Sequence, residues 1–567
     1  MLPASACRSQ NNKTDAAKGG GMDSSQRDEA EPAPATALAA VLADAQGTLG
    51  QRADVLNVRL GWVFRDGWIT DERALVVTVR QKLTPAELHA AGREPLPETF
   101  GGLPVEITGP TPEDLLRLVR GPELADALLA ERAAAAHAIR YTPPAGAKLH
   151  QVTARMRVVA HVSPDAGWRE LSPFLGQTRA RLVVGMYGCG APHIVHALAA
   201  LGGQADFSKL TLAIQQEASA GGVATKTVDL TNAEAVKVMA MALGDRFEYA
   251  WVKTGAAGDW VATAYHIKVA VRDGRAFWLS SGNWQMANQP AGDPLAEQPP
   301  RRAWLNRYDR DWHTIVEHVG LARTLAAFLE NDFANNAGAD RAVAEARPEP
   351  PDLLVAEALL AAGAAVTTRR YFSPWDETRR FTVRPLLTPD NYHPYVLDLV
   401  RSAREELLIQ NQTFAAPKAG EAALRALVDA VIARQRAGVR VRIIFRTVLP
   451  AQTRLDLERL KDYGLDLAGV KVQFNCHTKG IVVDRRRVLV GSQNWSNDGV
   501  SVNRDASLLF DDAPLAEYFA GIFEHDWNNL AQPQIGSEWA PVAVAVPGAG
   551  TPPGMVRLAW QDYDAEG

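Results

Sequence analysis

Two stretches of this 567-residue chain carry the same reactive side chains at the same spacing. His266, Lys268 and Asp273 form a His-x-Lys-x4-Asp run followed by Ser281 and Asn283; His477, Lys479 and Asp484 form a second, followed by Ser492 and Asn494. A Trp closes each copy, Trp284 and Trp495. Residues i and i+2 of a strand face the same way, so each His projects with its Lys. Two such strands meeting across a pseudo-two-fold axis would gather two imidazoles and two ammonium groups in one cleft. The Ser281 and Ser492 hydroxyls and the Asn283 and Asn494 amides would add neutral donors. That is a cradle for a phosphate diester. A neutral His can attack phosphorus. A protonated one can give its proton to the leaving oxygen and later take one from the acceptor. An imidazole pKa of about 6.5 suits both roles, and the lysines would stabilise charge on the non-bridging oxygens. With two ammonium groups present and no Asp/His metal cluster near the motifs, neither metal nor cofactor is expected. Asp505 is expected to orient His477, and Asp311 to orient His266. Asp273 and Asp484 are expected to anchor structure without touching substrate.

The elements that position these residues are also written twice. Ser163-Pro164-Asp165 matches Thr388-Pro389-Asp390, and the strand-like run Arg181–Tyr187 matches Glu406–Gln412, both at a shift of 225 positions. Arg310-Asp311 matches Arg504-Asp505, and Asp332-Phe333 matches Asp526-Trp527, both at a shift of 194. Alternating buried strands and helices imply an α/β sandwich in each lobe. The first lobe is 17 residues longer between its motif His and Asp311 (45 positions against 28). This insertion, with Pro290, Pro294, Pro299 and Pro300, reads as a surface loop.

The expected organisation is a disordered segment at 1–35, a small β-rich domain at 36–112 and a helical connector at 113–151. Lobe 1 at 152–345, a linker at 346–377, lobe 2 at 378–535 and a loose C-terminal tail at 536–567 complete the chain. In the β-rich domain, Val55–Leu60 and Ala74–Arg80 read as strands, with Asp66-Gly67 as a hairpin turn between them. Its segment from Asp66 to Val79 resembles small β-rich modules found ahead of bacterial trypsin-like domains, which implies a structural or docking role.

Composition sets the class. The chain is 47% hydrophobic and 22% charged, as ordinary globular proteins are. A net charge of −5 weighs against a pure nucleic-acid binder. Cys7, Cys189 and Cys476 are too few for a disulfide framework. Cys476, beside His477, reads as a buried strand residue more than as a nucleophile. The longest apolar stretch, Leu353–Val366, is too short for a membrane span and contains Glu357. No secretory signal is visible, Met22 is a second candidate start, and the expected location is cytoplasmic.

The doubled motif with its small-Ser-x-Asn tail resembles the phospholipase D superfamily over both lobes, nearly two thirds of the chain. The resemblance implies two homologous phospholipase D-like α/β sandwich lobes with pseudo-two-fold symmetry and a metal-independent phosphohistidine mechanism. It also implies that His266, in the N-terminal motif, attacks while His477 serves as general acid and base. Ser280 departs from the family, which usually has Gly there. Three functions follow. The first is a lipid phosphodiesterase with a phospholipid substrate and peripheral membrane contact, its mouth lined by Trp168, Tyr187, Phe277, Trp278, Trp284 and Trp495. The second is a nuclease binding nucleic acid through Arg301-Arg302, Arg369-Arg370, Arg379-Arg380 and Arg485-Arg486-Arg487. The third is an inert scaffold. Both half-sites lie in one chain, so no dimer is needed to build the cleft.

Overall fold

The computed structural model describes residues 35–127, 139–216, 229–254, 258–297, 304–337, 353–356, 370–447, 449–535, 542–545, 552 and 555–558. The expected disorder of 1–35 falls almost wholly outside them, as do much of the connector and most of the inter-lobe linker.

The first four strands are β1 (Val55–Arg65), β2 (Trp68–Val79), β3 (Thr99–Phe100) and β4 (Leu103–Thr108), forming a separate sheet of order β1-β2-β4-β3. The β1–β2 turn is Asp66-Gly67, both at positive φ (53° and 80°), as a two-residue hairpin requires. This sheet lies against the helix Pro450–Tyr463. Trp62 Nε1 donates to Asp462 (3.0 Å), Arg454 donates to the Trp62 carbonyl (3.0 Å), and Arg59 pairs with Glu458.

The next strands are β5 (Val152–Ser163), β6 (Arg181–Met186), β7 (Lys209–Gln215), β8 (Phe247–Val252), β9 (Lys268–Arg272), β10 (Ala276–Ser280) and β11 (Asp311–Glu317). After β12 (Leu353–Ala356) come β13 (Trp375–Thr388), β14 (Glu406–Asn411), β15 (Arg440–Arg446), β16 (Val470–Gln473), β17 (Lys479–Val483), β18 (Arg487–Gly491) and β19 (Asp505–Asp511). Fourteen of these build one mixed sheet of order β16-β15-β14-β17-β18-β19-β13-β5-β11-β10-β9-β6-β7-β8. Its central pair is β13 with β5, antiparallel from Trp375 opposite Ala160 to Val383 opposite Val152. The strands β6 and β14 are continuous apolar runs buried on both faces, as parallel-paired inner strands need to be.

Two long helices, Val319–Asn336 and Ala513–Asn529, share one hydrophobic cluster with strands from both halves of the sheet. Leu321, Leu325 and Phe328 meet Trp312, Val482, Phe519 and Phe523 there. Each helix is capped from outside, His318 accepting from the Leu321 amide and Asp512 from the Leu515 amide. Trp312 packs on the backbone of β17: a Cβ at Gly480 would stand 2.3 Å from its ring.

Two expectations need correction. The tail after 536 is not wholly loose, because β20 (Val542–Val544) and β21 (Met555–Leu558) flank β12 in a three-stranded sheet. The Val-rich runs that signalled flexibility are strand formers once they find a partner edge. The insertion after Asn283 is not simply a surface loop either. Its first turn buries Asn288 and Gln289, 2% and 0% exposed, beneath the site.

Candidate active site

Both motif histidines sit two residues before a strand begins, because β9 starts at Lys268 and β17 at Lys479. The loops that carry them are held from the opposite half of the sheet. The Arg504 amide donates to the Ala264 carbonyl (3.1 Å), and the His477 amide donates to the Arg310 carbonyl (3.1 Å). Asn503 Oδ1 accepts from the Thr263 and Ala264 amides (3.0 and 2.9 Å). The two motifs are thereby interleaved, though 211 positions separate the histidines in the chain.

The carboxylates cross over. His266 Nδ1 lies 2.8 Å from Asp505 Oδ1, and His477 Nδ1 lies 2.8 Å from Asp311 Oδ1. The expected pairing, Asp505 with His477 and Asp311 with His266, is therefore reversed. The physical reason lies in the sheet: β11 and β19 place their first residues beside the other half's His loop. An ionised carboxylate can only accept, so each Nδ1 carries the proton and each Nε2 keeps its lone pair.

The serines are a second correction. Ser281 Oγ donates to Asp311 Oδ1 (2.7 Å) and Ser492 Oγ to Asp505 Oδ1 (2.6 Å). Each hydroxyl proton is thus spent holding the carboxylate that orients the other motif's His, and is not offered to a phosphate. Asn283 spends one N–H on Gln285 Oε1 (3.0 Å), which leaves one for another acceptor. Asn494 occupies the matching position after Ser492 and is 4% exposed.

Lys268 and Lys479 are buried. Lys479 Nζ donates to Gln412 Oε1 (2.6 Å) and to the His477 carbonyl (2.9 Å); Lys268 Nζ donates to the His266 carbonyl (2.5 Å) and lies 5.2 Å from the Tyr187 ring centre. Burial drives Lys268 well below the usual lysine range, aided by the nearby Lys479, and drives Lys479 down to about 8. Burial also lowers both imidazoles, with the adjacent lysine next in weight: His266 falls to about 4 and His477 to about 3. Asp311, although burial opposes it, is held well below the carboxylate range by His477. A site that holds this many depressed cations gains by binding an anion, which restores charge to each of them.

Asp273 and Asp484 face away from this chemistry. Asp273 accepts from the amides of Arg179, Ala180 and Arg181, and Asp484 from those of Arg404, Glu405 and Glu406. Each carboxylate, at a positive-φ turn (54° and 49°), ties its motif hairpin to the start of the neighbouring strand.

Ser280, the residue out of pattern, has a built place. Its Oγ accepts from the Gly282 amide (2.7 Å) and shares a hydrogen bond with His313 Nδ1 (2.6 Å) across the β10–β11 ladder. At the matching ladder position Gly491 faces Ser507, where a Cβ would come within 1.7 Å of the Ser507 hydroxyl. A bulky His opposite Ser and a small Ser opposite Gly are two ways to set the same turn.

The expected lipid-facing aromatics divide. Phe277, Trp278, Trp284 and Trp495 are 0% exposed and belong to the core. Tyr187 packs edge-on to His266 at 5.2 Å, and Trp168 packs on His193. Burial raises both described thiols, Cys189 to about 12, and neither is placed as a nucleophile. Arg379 is paired with Asp512, and Arg485 with Glu406, Glu517 and Glu524, so these clusters offer no unpaired charge to a nucleic acid. Arg301, Arg302 and Arg369 lie outside the described residues. Gln412, Asn288 and His313 were missed by motif reasoning. Gln412 had one signal, its place at the end of the repeated strand run.

A family profile described as "Cardiolipin synthase, PLD-like domain" matches residues 396–527. The chain belongs to the phospholipase D superfamily. Among curated proteins, this superfamily member is 29% identical to the mitochondrial cardiolipin hydrolase of Xenopus tropicalis over 144 residues, covering 25% of this chain and 65% of the relative. It is 26% identical to that of Mus musculus over 135 residues, covering 24% and 58%. The chain thus spans less than two thirds of the length of these relatives. Among solved structures, a phosphatidylserine synthase from Haemophilus influenzae aligns with TM-score 0.43 and 15% identity, over 66% of this chain and 88% of that one. Nuc of Salmonella typhimurium, a phospholipase D family member, aligns with TM-score 0.22 and 21% identity, over 27% and 97%. No helix among the described residues is long and apolar enough to cross a membrane.

Proposed function

We propose that this phospholipase D superfamily member is a metal-independent phosphodiesterase acting on a phospholipid head-group ester through a phosphohistidine. The observation that carries the reading is the crossed pair of carboxylates: each Asp fixes a His of the opposite motif with Nδ1 protonated and Nε2 bearing a lone pair. In the first step His266 Nε2 attacks phosphorus, the ester P–O bond breaks, and His477 Nε2–H gives its proton to the departing oxygen. In the second, His477 takes a proton from water or an alcohol, the new P–O bond forms, and the N–P bond breaks with its electron pair returning to His266. Both rings are neutral in the free site at neutral pH, so the anionic diester itself must raise His477 enough to be protonated. Lys268 and Lys479 would bear on the non-bridging oxygens, and Asn283 and Asn494 would supply neutral donors.

In this reading residues 152–345 and 378–535 are homologous lobes about a pseudo-two-fold axis. Support comes from the strand order of the large sheet, which runs outward from β5 and from β13 through equivalent elements. The β-rich domain would dock on lobe 2 through the helix Pro450–Tyr463. A lipid substrate accords with the cardiolipin relatives, and the proposed location is cytoplasmic with peripheral membrane contact.

The test offers phosphatidylcholine and cardiolipin vesicles, single-stranded DNA, duplex DNA and RNA to the purified protein in EDTA. A lipid head group should be released, and His266→Ala should abolish the release. Oligonucleotide products would replace the lipid reading with the nuclease one, and turnover of none would leave a scaffold.

A further inference from the structure

The crossed pairs are alike in every contact but one. In each, a Ser hydroxyl and a His Nδ1 converge on one carboxylate oxygen, Oδ1. The second oxygens differ. Asp311 Oδ2 accepts from Asn288 Nδ2 at 3.0 Å, in a fully buried contact. Asp505 Oδ2 is buried too, and no donor among the described residues reaches it. Asn288 lies in the first turn of the insertion that only the first half of the chain has, five residues past Asn283. Five residues past Asn494 stands Gly499, where a Cβ would come within 2.4 Å of the Asn494 carbonyl. No side chain fits there, so the second half cannot build the same donor.

A hydrogen bond donated to one carboxylate oxygen draws charge from the other and weakens its support for a cationic partner. We propose that Asn288 sets the division of labour between the two histidines. By donating to Asp311 it makes the His477 imidazolium the readier proton donor, while Asp505, which lacks such a donor, gives His266 the stronger support for the positive charge its ring carries when bonded to phosphorus. Asn288 is thus a positioning residue that acts through Asp311. The inference rests on the phosphohistidine reading and supplies a structural reason for which ring plays which part.

Other charges face these groups. His477 lies near Asp311, Lys479 and Arg446; Asp311 also faces His313 and Lys479, and Lys268 lies within its field. Asn288 Nδ2 additionally lies 3.2 Å from Asp309 Oδ2. All of these remain in place when Asn288 alone is changed, so a change in His477 reports on the Asn288–Asp311 contact. The two rings already differ in the expected sense, His477 falling to about 3 and His266 to about 4.

The experiment is a 15N NMR titration of the imidazoles with saturating inorganic phosphate, in the wild-type protein and in Asn288→Leu and Asn288→Ala. In wild type, His266 should titrate above His477. In either variant, His477 should rise by about 0.5–1 pH unit, the size of one lost hydrogen bond to a charged group, with His266 unmoved. The alkaline limb of kcat/KM for bis(p-nitrophenyl) phosphate should move upward by the same amount. A His477 that does not shift, or a His266 that shifts equally, overturns the inference. The wild-type order of the two rings decides the matter even if both variants misfold, since His477 titrating above His266 also overturns it. Wild-type protein that cleaves no diester, yet shows the predicted titrations, sinks the enzymatic reading alone.

Discussion

Asp311 and Asp505 make the sharpest prediction at the residue scale, because crossing decides which chemical step each one serves. Asp505→Asn should slow phosphorylation of His266 by about 10^3-fold or more, as loss of an orienting carboxylate does in other His-dependent sites. Asp311→Asn should leave that step nearly unchanged for a substrate with a good leaving group, which needs no acid, and should slow breakdown of the phosphoenzyme. Rapid-quench measurement of formation and breakdown separates the two, and the reverse pattern would restore within-motif pairing. Ser492→Ala removes a hydrogen bond to a buried carboxylate and should lower kcat about 10–100-fold with KM little changed. The reactive set was legible in the chain because spacing encodes which side chains share a face. The crossing was not, because a residue's nearest reactive neighbour in sequence need not be its neighbour across a sheet. Asn288 was invisible for a related reason: it lies in an insertion with no counterpart in the other copy.

At the scale of elements, the repeated residues outside the motifs find a purpose. Arg310 joins Asp165 to Asp526, and Arg504 joins Asp390 to Asp332, all buried. Each Arg immediately precedes an orienting Asp and reaches a long helix of the other half, so the same lock that joins the halves fixes the carboxylates. Arg310→Met leaves Asp165 and Asp526 uncompensated and should cost about 3–5 kcal/mol in urea denaturation. An unchanged midpoint would show that the lock contributes nothing. Gly480→Ala drives a methyl group into the Trp312 ring and should cost about 1–3 kcal/mol by the same measurement. The strands, the Asp66-Gly67 turn and the two long helices were readable from apolar runs and turn residues. The pairing of β20 and β21 with β12 was not, because short Val-rich segments far apart in the chain carry no signal of each other.

For the molecule as a whole, burial of neutral imidazoles ties stability to pH. His266, His313 and His477 all titrate lower in the folded state, at about 4, 4 and 3, than the unfolded value of about 6.5. The unfolded chain therefore binds more protons between these values, so their contribution is complete above about pH 6.5 and is lost as pH falls toward 4. Thermal unfolding from pH 7.5 to 4.5 should show Tm falling throughout the lower part of the range, and saturating inorganic phosphate should raise Tm at each pH. A Tm independent of pH and phosphate would contradict a site built of buried, depressed cations. The central claim is that both imidazoles act on one phosphorus, with His266 as the bond-forming partner. Its most direct measurement is covalent trapping: His477→Ala protein mixed with 32P-labelled bis(p-nitrophenyl) phosphate, quenched, digested and mapped. Acid-labile label on the peptide holding His266 is the predicted result. Label on Ser281 or Cys476, or none at all while p-nitrophenol is released, would contradict it.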